Sequence, residues 1–172
     1  KISSRSTPNQ VLAIVRKKKD PQEITVPPGV FLMLDGIQDP GNFGTIVRIA
    51  DWFGISTILC SPECADLYNP KVVQSTMGSL LRVNVIYTNL AAWCKTNAGA
   101  EVYAATLHGK SIYQRSPLTH GAILMGNESK GVHPELLHLC KEQITIPRTG
   151  LAESLNAAVA TGIILSHLVK QV

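Results

Sequence analysis

From residue 30 onward the chain alternates short apolar runs with stretches whose apolar residues recur at helical spacing. Val30–Leu34 is apolar throughout, as a strand covered on both faces of a sheet reads. Similar runs at 55–60, 83–87, 101–106, 121–125 and 143–146 predict five more strands. The stretch 36–44, with Asp39-Pro40-Gly41 inside it, reads as a turn leading into a helix over 45–53 that Gly54 stops. Further helices are predicted through about 76 behind Asn69-Pro70, over 90–97 behind Asn89, over 134–140 and over 154–170. Alternation of this kind predicts an α/β fold, a mostly parallel sheet with helices on both faces. Residues 1–29 break the pattern: they are polar, carry Pro8, Pro21, Pro27 and Pro28, and hold one strand-like run at 11–15.

Composition narrows this picture. The chain has 172 residues, 45% of them hydrophobic, enough for one domain with a substantial core. No run reaches the roughly 18 apolar residues that span a bilayer, and Lys1-Ile2-Ser3-Ser4-Arg5 lacks the apolar centre of a secretory signal. Cys60, Cys64, Cys94 and Cys140 make no CxxC pair and the histidines stand apart, so no metal site is expected. The thiols read as reduced ones in a cytoplasmic protein. Sixteen basic against 12 acidic residues leave a net charge of +4, which permits a polyanionic partner such as RNA. The run Arg16-Lys17-Lys18-Lys19 reads first as solvated surface.

Candidate chemistry gathers in three blocks that follow apolar runs. They are Asn42-Phe43-Gly44-Thr45-Ile46-Val47-Arg48-Ile49-Ala50, Gly126-Asn127-Glu128-Ser129-Lys130-Gly131, and Ile146-Pro147-Arg148-Thr149-Gly150 continuing to Ser154-Leu155-Asn156. Turns at the carboxyl ends of strands are where open α/β sheets bind ligands, and three such turns imply one composite site. At 100° per residue, Ile46, Ile49, Ala50 and Phe53 form one stripe and Arg48 falls almost opposite. Arg48 is either a solvated arginine or a group reaching over the turn toward an anion or hydroxyl. Glu128 is either an acid opening the next helix or a functional carboxylate at the end of a buried strand. Ser154 is well placed as the N-cap of the last helix. Beyond it, Leu155, Val159, Gly162, Ile163 and Ser166 line a face whose small residues suit close packing, including against a partner subunit. No G-x-G-x-x-G, Walker A or G-x-S-x-G sequence occurs.

Taken together, the blocks resemble the three signature motifs of the SpoU family of RNA ribose 2′-O-methyltransferases, TrmH-like members of the SPOUT superfamily. The matching positions are Asn42-x-Gly44-x-x-x-Arg48-x-Ala50, Gly126-Asn127-Glu128-x-x-Gly131, and Ile146-Pro147-x-x-Gly150-x-x-x-Ser154-Leu155-Asn156, within 29–172. The resemblance implies a C-terminal trefoil knot that holds S-adenosylmethionine, an element the residue pattern does not indicate and general topology disfavours. It implies cofactor contacts at Thr106, Gly126, Asn127, Ile146 and Leu155, and catalytic positions at Arg48, Glu128, Ser154 and Asn156, with Asn42 ordering the first motif. It also implies a homodimer in which Arg48 of one subunit reaches the other's cofactor.

The implied reaction is attack of a ribose 2′-hydroxyl on the sulfonium methyl, on ribosomal rather than transfer RNA. A guanidinium does not deprotonate in proteins, so Arg48 is expected to orient the hydroxyl or a phosphate while Ser154, Glu128 or water carries the proton. A non-catalytic RNA-binding or assembly protein on the same scaffold is the alternative. Residue 148 is Arg where many relatives are apolar, which alters the pocket edge or adds a phosphate contact. Residues 1–28 resemble the tail and linker of an N-terminal RNA-binding domain, so the chain is expected to be part of a longer protein.

Overall fold

The computed structural model describes residues 14, 16–17 and 23–170. The strand-like run at 11–15, apart from exposed Ile14, and Lys18 and Lys19 of the basic run lie outside them. Six strands form one sheet: β1 (Val30–Leu34), β2 (Thr57–Cys60), β3 (Asn84–Tyr87), β4 (Val102–Ser111), β5 (Gly121–Met125) and β6 (Glu142–Thr145). Their order is β3-β2-β1-β5-β4-β6, and every pairing is parallel. The helices are α1 (Pro40–Trp52), α2 (Pro70–Ser75), α3 (Leu90–Thr96), α4 (Pro134–Leu137) and α5 (Ala157–Leu168).

The unbroken apolar run of β1 has its reason in the two layers around it. Leu32 and Leu34 point into a core with Ile46, Val47 and Ala50 of α1 and Ile164, Leu165 and Leu168 of α5. Phe31 and Met33 point the other way, against Leu90 and Trp93 of α3 and Leu136 of α4. Alternate side chains of one strand thus fill both layers, so neither face tolerates a polar residue. The mostly parallel, doubly covered sheet expected from the sequence is present.

Most element bounds lie within two residues of expectation, and three differences matter. First, α1 begins at Pro40, not near 45: Asp39 caps it, its Oδ1 accepting from Asn42 N at 2.8 Å, and Pro40 fills the first turn without needing a partner. Asn42 and Gly44 are therefore helical. Second, β4 runs on to Ser111 through an irregularity between Ala105 and Lys110, both opposite Ile144 of β6. A Cβ at Gly109 would lie 2.5 Å from Gln143 C and Ile144 N, so only glycine lets the strand close back onto β6. Third, α5 begins at Ala157, and Ser154 is not its cap. Asn156 is, with Oδ1 accepting from Ala158 N and Val159 N.

Candidate active site

The first block is anchored where β1 ends. Asp35 N donates to Met125 O of β5 (2.8 Å), and Gly36 N donates to Ser61 Oγ after β2 (3.0 Å). The chain then turns into α1 with its first helical residues facing the end of β5. Asp39 is held below the usual carboxylate range by the Asn42 N–H and by Lys71 3.6 Å away, against the opposing effect of burial. Its charge thus sits at the positive end of α1.

The second block is a tight loop. Asn127 Nδ2 donates to Gly36 O at 2.7 Å, while its Oδ1 accepts from Ser129 N and Lys130 N. Asn127 and Gly131 also exchange two backbone hydrogen bonds. A Cβ at Gly126 would overlap the Gly131–Val132 peptide, so the loop folds flat on its own start. Asn127 therefore ties the second block to the turn between β1 and α1, just ahead of the first.

Glu128 does not open a helix: α4 starts at Pro134 behind His133. Instead Glu128 Oε1 accepts from Asn42 Nδ2 at 3.0 Å, and Asn42 Oδ1 accepts from Asn156 Nδ2 at 2.8 Å. The direction of this relay is fixed by donor arithmetic. Asn156 caps α5 with its oxygen, since only an acceptor meets two N–H groups, so its amide nitrogen faces Asn42. Asn42 must then turn its oxygen to Asn156 and its nitrogen to the carboxylate. One asparagine thus joins the three blocks.

The residues expected at the cofactor sit on neighbouring strand ends. Ala104 pairs with Leu124 of β5 and Gln143 of β6, so continuing the register sets Thr106 beside Gly126 and the end of β6. Thr106 Oγ1 donates to Gln143 Oε1 at 3.3 Å, and half-buried Ile146 follows β6 directly. Ser154 and Leu155 lie exposed in the segment before α5. Arg148 Nη1 donates to Ala152 O at 3.0 Å, closing that segment's turn.

Arg48 stands apart. It is exposed on α1, six residues from Asn42, hence about 9 Å along the axis and on another face. It makes no hydrogen bond or ion pair among the described residues. Trp52, one turn on, is 84% exposed. The sequence reading missed Asp39 as a cap, although Asp39-Pro40 has the same form as Asn69-Pro70, which it read correctly. It also missed Gly109, whose need arises only from the second pairing of β4 with β6.

Three separated blocks meeting at one amide match a known protein family. The chain belongs to the SpoU rRNA Methylase family, whose model matches residues 29–166. A Bacillus subtilis member, 23S rRNA (guanosine(2553)-2′-O)-methyltransferase RlmP, is 34% identical over 97% of this chain and 67% of its own length. Among solved structures, the SpoU methyltransferase AviRb from Streptomyces viridochromogenes, in complex with AdoMet, superposes with a TM-score of 0.77 at 28% identity. That match covers 88% of this chain and 62% of AviRb. An AdoMet-bound rRNA methyltransferase from Sinorhizobium meliloti gives 0.75 at 34% identity, over 84% of this chain and 56% of that one. The chain spans roughly three-fifths of the length of these two structures. Among the described residues no helix is long and apolar enough to cross a membrane, and no group of three acidic, Cys or His side chains could hold a metal.

Proposed function

We propose that the chain transfers a methyl group from S-adenosylmethionine to a ribose 2′-hydroxyl of ribosomal RNA in the cytoplasm. The observation that carries this reading is the relay from Asn156 through Asn42 to Glu128, which holds one acid at the meeting point of three family motifs. Displacement at a methyl carbon needs the incoming oxygen in line and its proton removed. When bound, the cofactor supplies the electrophilic methyl. Asn42 occupies one oxygen of Glu128, which leaves Oε2 to accept the hydroxyl proton. Arg48, permanently cationic, orients the ribose or a neighbouring phosphate, and the exposed Ser154 hydroxyl adds a further polar contact.

The residues present fit the cofactor. Loops at 106–109, 126–131 and 146–155 follow or interrupt adjacent strands, and the first and last carry Leu107, Leu151 and Leu155 at 65%, 100% and 49% exposure. Apolar side chains and unspent backbone groups at strand ends suit a nucleoside with an apolar face and a polar rim. Thr106, Gly126, Asn127, Ile146 and Leu155 would hold it. The trefoil knot is part of the same reading, supported by β4 lying between β5 and β6 and by the return of α5 to Leu118, whose N–H donates to Leu168 O at 2.7 Å.

Arg48 works, in this reading, across a homodimer. It shares an exposed strip of α1 with Trp52, and the neighbouring face of α5, where Gly162 meets Ile49, carries Val159 at 52% exposure. A second copy covering that strip would bring Arg48 to the partner's cofactor. Residues 1–28, as the end of an RNA-binding domain, would connect this unit to the part that selects the RNA.

Calorimetry with S-adenosylmethionine, followed by methyl transfer to ribosomal RNA, tests the proposal. Saturable cofactor binding and ribose methylation are expected, and absence of binding at millimolar cofactor ends the enzyme reading in favour of an RNA-binding scaffold. A pH–rate profile of Arg48→Lys separates the roles: weak activity with an unmoved profile fits orientation, whereas full activity with a shifted pKa makes residue 48 the base.

A further inference from the structure

The loop that carries Glu128 owes its shape and its place to different contacts. Its shape is internal: Asn127 Oδ1 accepts from Ser129 N and Lys130 N, and Asn127 and Gly131 exchange two backbone hydrogen bonds. None of these contacts fixes where the loop stands against α1. Packing adds little, because Glu128, Ser129, Lys130 and Gly131 are exposed and Val132 is the next buried residue after Met125. An exposed loop of this kind is held by its hydrogen bonds or not at all.

The place comes from the two residues that follow β1. Gly36 O accepts from Asn127 Nδ2 at 2.7 Å, and Asp35 takes hold of the loop at both ends. Its backbone N–H donates to Met125 O at 2.8 Å where the chain enters the loop. Its carboxylate Oδ2 accepts from His133 N at 2.7 Å where the chain leaves it. Almost any residue could supply the first bond, but the second needs this side chain. A bond from an N–H to a carboxylate is roughly twice as strong as one between neutral groups. His133 is itself anchored, since its Nδ1 accepts from Glu135 N at 3.4 Å as the cap of α4. Asp35 makes no hydrogen bond to Glu128, Asn42 or Asn156. We propose that Asp35 is a positioning residue for Glu128: by clipping His133 to the turn before α1, it sets Glu128 at bonding distance from Asn42. The same short segment thus carries Asn42 forward on α1 and holds back the loop that meets it. The effect on rate rests on the methyl-transfer reading above.

The test begins with NMR of the full chain, without cofactor or RNA, at the side-chain amide of Asn42. Glu128→Ala supplies the reference signal of that amide without its carboxylate partner. Asp35→Ala should move the Asn42 signal most of the way to this reference, while the amides of 121–124 in β5 stay in place. In methyl transfer, Asp35→Ala should lower kcat at least about tenfold with KM for RNA little changed. Asp35→Asn keeps an acceptor oxygen at the same reach and should restore most of that rate. Asp35→Glu keeps the charge but is one methylene longer, so it should retain Tm and not the rate. If the alanine variant does not fold, the Asn42 signal is read in Asp35→Glu, where the same movement is expected. An unmoved Asn42 signal, or equal kcat in the asparagine and glutamate variants, would overturn the assignment. Failure of the methyl-transfer reading registers separately, as absent S-adenosylmethionine binding in the calorimeter, and leaves the Asn42 signal as a direct readout of the clip.

Discussion

The carboxyl edge of the sheet is built in two ways. Around β1, β2 and β3 its loops are tied to one another: Gly36 N meets Ser61 Oγ, Cys64 Sγ meets Leu34 O at 3.3 Å, and Ala65 N meets Ile37 O at 2.9 Å. Tyr87 Oη donates to Ala65 O at 2.6 Å and accepts from Leu67 N at 2.8 Å. Around β4 and β6 the edge is open. Among the described residues, the Arg148–Ala152 contact is the one hydrogen bond within 147–155, and Leu107, Leu151 and Leu155 stay exposed. In the proposed reaction a carboxylate that takes up a proton needs a fixed direction, and the tied half provides the helix that carries Asn42 to Glu128. A cofactor needs unspent backbone groups and apolar surface, which the open half retains. The 126–131 loop lies between them and belongs to both.

That position makes Gly126 the most sensitive point. Gly126→Ala would drive a Cβ into the Gly131–Val132 peptide, and backbone on both sides cannot give way as a flexible side chain could. We expect a loss of about 3 kcal/mol in denaturant unfolding, together with lost S-adenosylmethionine binding. Gly150→Ala in the open half, where nothing lies within 4 Å of the added methyl, should leave stability unchanged. Equal effects at the two glycines would remove the distinction between the halves.

Asn42 sharpens the comparison in a different observable. Asn42→Ala removes the side-chain contacts to Glu128 and Asn156, both at solvent-exposed positions, so the stability loss should be only about 1 kcal/mol. Methyl transfer should fall on the order of 100-fold, because Glu128 then loses its direction. Full activity in this variant, with retained cofactor affinity, would disconnect the relay from the reaction.

Asn156 has two jobs that separate by chemistry. Asn156→Ala should cost about 1 kcal/mol through the lost cap of α5. Asn156→Ser restores a capping oxygen but has no amide to offer Asn42. Thermal unfolding should therefore recover with serine while methyl transfer stays low. Recovery of both would assign Asn156 to the helix alone.

Much of this division was legible in the sequence, and the illegible parts have physical causes. The sheet could be read because its central strands are buried on both faces, which leaves unbroken apolar runs such as 121–125. Arg48 could be placed opposite its helix's core by periodicity alone, and it is exposed. The role proposed for it across a second subunit was not readable in that way, because it depends on a surface that one chain does not complete. The relay was illegible too, since Asn42 and Asn156 are 114 positions apart and nothing local distinguishes a capping asparagine from one that also spends its amide elsewhere. Ser154 was the better cap on local grounds, yet the helix begins later, where the cap can also meet Asn42. Tertiary pairing overrode local preference at the site itself.

The smallest effect concerns the far end of α1 under acid. Asp51 lies near the C-terminal end of α1, where the helix dipole disfavours a carboxylate, and Arg82 compensates with a contact at 2.6 Å. The Arg82 guanidinium, then the Ser79 hydroxyl, hold Asp51 below its ordinary 3.8, while burial opposes them. A depressed folded-state pKa means that the pair stabilises the fold above the unfolded value and ceases to do so as pH falls through the folded one. Tm should therefore drop below about pH 4 in the unaltered chain, and Asp51→Asn should show a shallower drop. The difference will be modest, because Arg82 is largely exposed and such pairs are screened by water. Salt sharpens the assignment: added salt should narrow the gap between the two proteins at neutral pH, whereas the defect of Asn156→Ala, a loss of neutral amide contacts, should stay the same.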